Sequence, residues 1–347
     1  MKLNFCTLFS ANYLSRGLVM YESLLKHCDH FHLYIFAFDD VSYSYLKQQD
    51  YQHLTVISLA EFEDEELLRV KPGRTMGEYC WTCTSSTILY CIQQFNLSNC
   101  TYLDADMMFY ANPRVLIDEM GEQSVLITEH RYTKEYDQSA ESGIYCVQFV
   151  TFKNDEKGMK VLNWWRNSCI DWCFNRAEDG KFGDQKYLDD WTTRFEGVHE
   201  LQHLGGGIAP WNVQQYTFHT DKEKIKGTEI NTGNSFDVIF FHFHGVQYFD
   251  DGIVSLSHPV YYLNKLIKNL FYKPYIRLLN QSKQKVNALD SSFNPNGSAG
   301  AAPNEPLSFH LIWKLYKQDL KNSKRLIWGQ NIKSHLKHHY FYYFNKI

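Results

Sequence analysis

The chain has 347 residues, 44% of them hydrophobic, with 35 Lys and Arg against 39 Asp and Glu, a formal charge of −4. It is too apolar for disorder and long enough for one large domain or two ordinary ones. The total hides a split, because residues 1–250 carry 21 basic and 35 acidic side chains (−14) and residues 251–347 carry 14 and 4 (+10). An acidic bulk argues against a nucleic-acid binder, which needs a basic face with aromatic platforms. No stretch approaches the roughly 20 apolar residues of a spanning helix, and residues 1–10 lack a basic n-region and a cleavage signature, so the expected location is cytoplasmic. Nine irregularly placed cysteines read as reduced, buried thiols. Cys80-Trp-Thr-Cys83 and the Cys169, Cys173 pair each lack the second pair that a structural zinc site needs.

In chain order, residues 3–10 read as a buried strand, followed by a helical pattern that sets Leu18, Tyr21, Leu24 and Leu25 on one face. Strands follow at 33–38 and 54–59, a helix at about 78–94 after Pro72-Gly73, and a short strand at 101–103 that stops at Asp104. Such alternation produces a mainly parallel α/β sheet. Further strands are expected at 124–128, 143–152 and 236–244, with a Trp-rich helix at 156–176. The core domain is expected to end near residue 250. Beyond it lie a helical pattern from 259 to about 286, a flexible loop at 291–306 (SSFNPNGSAGAAPNEP), and a basic, aromatic helical end.

Three places carry chemistry. In Tyr102-Leu103-Asp104-Ala105-Asp106, two carboxylates stand where a buried strand runs out, the edge of an open α/β sheet where ligands bind. Paired carboxylates there call for a cation, and a divalent ion bridging a diphosphate suits oxygen ligands of Mn2+ or Mg2+; a solvated acidic turn is the plain alternative. In Phe241-His242-Phe243-His244-Gly245, strand alternation puts both histidines on one face, and the glycine admits a ligand to the backbone. A helix starting at Gly183 would hold Asp184 and Gln185 in its first turn, leaving Asp189 and Asp190 solvated. Leu204 to Trp211 (LGGGIAPW) reads as a Gly-rich loop open to a ligand, or else as a connector.

Taken in order, these pieces resemble a GT-A nucleotide-diphospho-sugar glycosyltransferase, Rossmann-like and of the family 8-like group, across residues 3–250. Ser10-Ala11-Asn12-Tyr13 looks like that group's first loop, which holds base and ribose, and Arg16 follows it. Tyr102 to Asp106 looks like its YLDAD metal motif, Ser142-Gly143 like the segment lining a sugar, Asp184-Gln185 like its Asp-Gln pair, and His242-Phe243-His244-Gly245 like its His-Phe-x-Gly segment. EYCWTCT, TYLDADMMFYANP, GIYCVQFVTFKND, EDGKFGDQKYLDDW and APWNV together look like glycosyltransferases of bacterial surface-polysaccharide loci. Two departures stand out: Glu141 replaces the usual Asn, and Val246-Gln247-Tyr248 replaces the Lys-Pro-Trp whose lysine holds the diphosphate. That charge must come from Arg16, Arg74 or Lys186.

The resemblance implies Mn2+ or Mg2+ on Asp104, Asp106, His242 and His244, with Asp104 on the ion or on the ribose alongside Ala105 and Gly245. It implies Asp184 on sugar hydroxyls, Gln185 near the anomeric carbon, and transfer with retention from a nucleotide-diphospho-sugar, a UDP-sugar, to a glycan or lipid-linked glycan. Asp104-x-Asp106 with Gly183-Asp184 and Asp189 also resembles the aspartyl-phosphate phosphohydrolases, but Met108 stands where they carry Thr or Val. A catalytically silent sugar-binding protein is the third reading. The basic end, including Leu311, Lys314, Leu315, Lys317 and the tail at 333–346, either meets an anionic membrane surface from the cytoplasmic side or packs back on the catalytic domain.

Overall fold

A computed structural model describes residues 2–250, 252–258 and 260–301, together with Trp313, Lys317 and Phe341–Tyr343. At its centre is a seven-stranded sheet built from β1 (Leu3–Phe9), β2 (Phe31–Ala37), β3 (Leu54–Ser58), β4 (Asn99–Leu103), β6 (Val125–Glu129), β7 (Tyr145–Lys153) and β8 (Val198–Glu200), in the order β3-β2-β1-β4-β7-β6-β8. All neighbours are parallel except β7, which runs antiparallel to both β4 and β6. Every residue of β1 and β4 is buried, the polar Asn4, Thr7, Asn99 and Thr101 included, as central strands covered on both faces require. The expected architecture, a mainly parallel sheet flanked by helices, is the one observed.

Helices close both faces. Met76–Gln94, started by the Thr75 and Glu78 capping box, and Glu156–Asp171, capped by Asp155, cover one face with Trp165 and Trp191 packed on Phe152 of β7. Leu14–His27 covers the other, with Leu14, Leu18, Tyr21 and Leu24 in the core and Leu25 turned outward at 40% exposure.

Several expectations are corrected. The long helix ends at Asp171 rather than 176. The strand expected at 236–244 is two short ones, Ser235–Asp237 and Phe240–His242, and the first joins Tyr216–Asp221 and Lys224–Glu229 in a separate three-stranded sheet. No helix begins at Gly183; that residue has φ +52, and a single tight turn spans Lys186–Asp190. The helix Lys273–Leu289 packs back on the body of the protein, its Tyr275 stacked on Phe243 with centroids 3.7 Å apart. The described part of the loop expected to be flexible is pinned at 294–300, where Ser15 N–H donates to Pro295 O at 3.0 Å and Ala299 N–H to Tyr248 O at 2.9 Å. Farther on, Trp313 and Lys317 are helical, with Lys317 Nζ 5.6 Å from the Trp313 ring centre. Leu311, Lys314, Leu315 and the tail at 333–346 apart from Phe341–Tyr343 lie outside the described residues.

The first loop is placed by a close approach. Gly17 lies against Phe9 at the end of β1, and a Cβ there would stand 2.2 Å from a ring carbon of Phe9, which is 3% exposed. The absent side chain lets the helix Leu14–His27 start directly under the strand end. Gly17→Ala therefore destabilises by about 1–3 kcal/mol despite the better helix propensity of Ala; a denaturation midpoint equal to wild type would contradict this.

Candidate active site

The chain leaves the main sheet at Leu103, passes Asp104-Ala105-Asp106, and resumes as β5 (Met107–Phe109). This strand pairs outside the main sheet, antiparallel to Phe240–His242, with Met107 opposite His242. Phe243 N–H then donates to Asp106 O at 2.9 Å. The register delivers His242 to the carboxylates, with Nε2 3.1 Å from Asp106 Oδ1 and 3.6 Å from Asp104 Oδ2. The ligand atoms of all three residues lie within 4.8 Å of one another, a spread one divalent ion can span.

Gln148 of β7, fully buried, orients the imidazole. Its Oε1, an acceptor only, lies 2.8 Å from His242 Nδ1, so Nδ1 carries the donated hydrogen and Nε2 faces the carboxylates. The same residue positions Asp104, whose N–H donates to Gln148 O at 3.2 Å. The lone amide in the apolar run Tyr145–Lys153 is the signal that sequence reasoning passed over.

Electrostatically the two aspartates separate. Desolvation in the cleft, although solvent still reaches 30% of its side chain, and then the charge of Asp106 push Asp104 up to about 7 against the pull of His242. For Asp106, desolvation is outweighed by the charge and hydrogen bond of His242, with help from His244 and Arg16, and its carboxyl falls to about 2. Asp184 is 5% exposed and is raised to about 7 by burial and by the charge of Asp104. His242 is raised, because Asp106 overrides its burial.

The remaining expected residues fall into two groups around this cluster. On the sugar-motif side, Gln185 Nε2 donates to Ser142 O at 2.6 Å, and Lys186 Nζ to Ser139 O at 2.7 Å. Asp189 is not merely solvated: Oδ1 accepts the Ile144 N–H at 2.7 Å and Oδ2 pairs with Lys186 at 2.7 Å. Gly143, at φ +103, keeps clear of Asp189 Oδ1, which a Cβ would meet at 3.1 Å. Asp184-Gln185 is thus stapled to Ser142-Gly143, and the carboxylate that the phosphohydrolase pattern needs at a metal is spent on structure.

On the other side, Ser10-Ala11-Asn12-Tyr13 is fastened by Asp39, whose Oδ2 accepts the Ala11 N–H at 2.8 Å while Oδ1 caps the helix Asp40–Lys47. Asn12, Tyr13, Arg16, His244 and Gly245 line one cavity of about 510 Å3. His244 stands at its exposed rim, and its ring and that of His242 each lie 5.5 Å from Trp211. Arg16 is 3% exposed with its guanidinium 4.2 Å over the Tyr13 ring. Of the other cations considered, Arg74 lies over Phe174 at 3.8 Å and donates to Ile170 O, and Lys186 is held by Asp189, so Arg16 is the one in this cavity.

The Gly-rich loop serves packing rather than ligand approach. A Cβ on Gly205 would lie 1.9 Å from Asp237 O, one on Gly206 2.6 Å from Leu201, and one on Gly207 3.1 Å from Gln148 Nε2. Its contribution to the site is Trp211, anchored by Nε1 donating to His130 O at 2.9 Å.

No family model matches the chain. It is similar to two uncharacterized proteins of Bacillus subtilis (strain 168): YfnD, 28% identical over 307 residues covering 86% of this chain and 94% of that protein, and YfnF, 29% identical over 301 residues covering 84% and 96%. Among solved structures it is similar to the galactosyltransferase LgtC in complex with donor and acceptor sugar analogs, at 11% identity and a TM-score of 0.48 over 80% of this chain and 96% of that one. It is also similar to the glycosyltransferase GlyE of Streptococcus pneumoniae TIGR4, at 12% identity and a TM-score of 0.43 over 82% and 64%. Mouse xyloside xylosyltransferase 1 is similar at 13% identity and a TM-score of 0.39 over 58% and 85%.

Proposed function

We propose that the protein is a GT-A glycosyltransferase of the family 8-like type, moving a sugar with retention from a nucleotide-diphospho-sugar, a UDP-sugar, to a glycan or lipid-linked glycan of a bacterial surface polysaccharide. The observation that carries this reading is the convergence of Asp104, Asp106 and His242 at the end of β4, with a 510 Å3 cavity beside it that holds a buried arginine. Two carboxylates and an imidazole fixed by Gln148 fit Mn2+ or Mg2+. His244 at the cavity rim is a fourth candidate ligand. Such an ion, when bound, offsets negative charge on the departing nucleoside diphosphate. Arg16 would supply the fixed positive charge that the missing lysine of the family motif would have given, and Asn12 and Tyr13, which line the same cavity, would hold base and ribose. Asp184, raised to about 7, can present a carboxyl to sugar hydroxyls at neutral pH, and Gln185 is held beside it through Ser142.

The location proposed is cytoplasmic, peripheral on the inner leaflet. No helix among the described residues is long and apolar enough to cross a membrane. The basic residues after 301 suit an anionic headgroup layer. Replacing Lys314, Lys317, Lys321 and Lys324 with Gln should reduce flotation with anionic liposomes; undiminished flotation refutes the membrane role.

Uridine diphosphate should raise the melting temperature only with Mn2+ present, by an amount equivalent to about 2.7 kcal/mol at a hundred times its dissociation constant. Asp104→Ala with Asp106→Ala abolishes that shift; a metal-dependent shift surviving the double substitution refutes the site. Gln148→Leu keeps the fold and weakens Mn2+ binding by roughly 10–100-fold, since it frees the imidazole to turn.

A further outcome concerns Asp184. Its raised pKa means that the folded protein holds the proton more tightly than the unfolded chain, so its contribution to stability is present below about pH 4 and is lost as pH rises through about 7. In the metal-free protein Asp184→Asn therefore raises the melting temperature more at pH 8 than at pH 5, while turnover falls. Equal shifts at the two pH values would show that Asp184 is not perturbed in this way.

A further inference from the structure

Residues 294–300 follow the helix Lys273–Leu289 and cross the cavity beside the carboxylate and histidine cluster. Besides the bonds to Ser15 and Tyr248, Arg16 Nη1 donates to Asn296 O at 3.0 Å. Gly297, at φ +68, passes so close that a Cβ would lie 3.1 Å from Asn12 O. This places Asn296 at 2% exposure, lining the cavity, with neither its amide nitrogen nor its amide oxygen in a hydrogen bond. A buried amide with both ends unpartnered costs free energy that nothing else in the fold returns. Arg16 repeats the pattern in the same cavity. It is buried, gives its terminal nitrogens to the carbonyls of Asn12, Asn296 and Val246, makes no ion pair among the described residues, and leaves Nε unpartnered.

A buried cation and a buried amide, both unsatisfied and both lining a cavity that also touches His244, mark a place prepared for a ligand with anionic acceptors and hydroxyl donors. We propose that Asn296 is a donor-binding residue: its amide, shielded from solvent in the ligand-free protein, turns into the cavity on binding, where Nδ2–H donates to a phosphate oxygen of the nucleoside diphosphate and Oδ1 accepts from a ribose hydroxyl, beside the charge of Arg16. The assignment rests on the glycosyltransferase reading above. It gives the region beyond residue 250 a direct part in holding the donor, and it explains why an asparagine whose side-chain amide has no internal partner sits at 2% exposure.

Isothermal titration of uridine diphosphate in the presence of Mn2+ tests this, with melting temperatures of the ligand-free proteins measured alongside. Asn296→Ala should weaken binding about tenfold or more, because a hydrogen bond to a charged group is lost. Asn296→Asp, of the same shape, should weaken it further by placing a carboxylate against the diphosphate. The ligand-free melting temperature of Asn296→Ala should equal or exceed that of wild type, since no internal bond is removed. Wild-type affinity in Asn296→Ala overturns this inference alone. A fall in ligand-free stability with unchanged affinity assigns Asn296 a structural role and overturns it as well. If wild type itself binds no nucleoside diphosphate with Mn2+, the reading of the whole site fails, and this inference with it.

Discussion

The pairing of two three-residue strands, Met107–Phe109 with Phe240–His242, is the constraint on which the candidate site depends. It joins segments more than a hundred residues apart and fixes His242 opposite Met107, one residue from Asp106. The cluster does not hold itself together. Crowding two carboxylates in a desolvated cleft is unfavourable, as the rise of Asp104 to about 7 records. The attachment is apolar instead: Phe240 packs on Phe109 and stacks on Phe149 of β7 with centroids 5.6 Å apart, and all three rings are fully buried. Burial of that size is worth a few kcal/mol per aromatic side chain, enough to offset a strained polar group.

The same economy recurs at the second level of support. Gln148 stands in a strand that is otherwise core, satisfies His242 with its oxygen, and leaves its nitrogen without a partner. Trp211 closes on both histidines from a loop whose glycines are required by neighbouring backbone and side chains. Asp39 caps one helix and at the same time ties down the loop that carries Asn12 and Tyr13. Of these three only Gln148 leaves a buried polar atom unpaired; Trp211 and Asp39 stabilise the fold while they position the site.

The charge split that first distinguished the two ends of the chain takes a different meaning once the C-terminal helix is placed. Lys273–Leu289 buries Tyr275, Ile276 and Leu279 against the region around Phe241 and Phe243, so its apolar face has a partner within the protein. Its lysines lie on the outside, where Lys285 pairs with Glu22 of the first helix at 2.9 Å, an exposed contact worth little by itself. The segment after it reaches the cavity beside Arg16, which joins the basic end to the acidic body near the cluster that carries the carboxylates.

The sequence by itself determined the local features. Period and composition marked β1 to β4, the helix Met76–Gln94 to within two residues and the strand end at Asp104, because central strands covered on both faces are mainly apolar and the carboxylates of Asp104 and Asp106 break that pattern. The order of the motifs marked Asp106, His242 and Asp184-Gln185 before any contact was known. Gly183 read as a helix start because glycine permits many conformations, and only neighbouring structure chose φ +52. The LGGG run read as open to a ligand because sequence does not say which backbone crosses a glycine. Gln148, Asp39 and Asn296 were invisible as site residues, since each acts across a long separation in the chain on a partner that no periodicity reveals. Register, close approach and the unpaired state of a buried amide are properties of packed surfaces, and these only the tertiary structure decided.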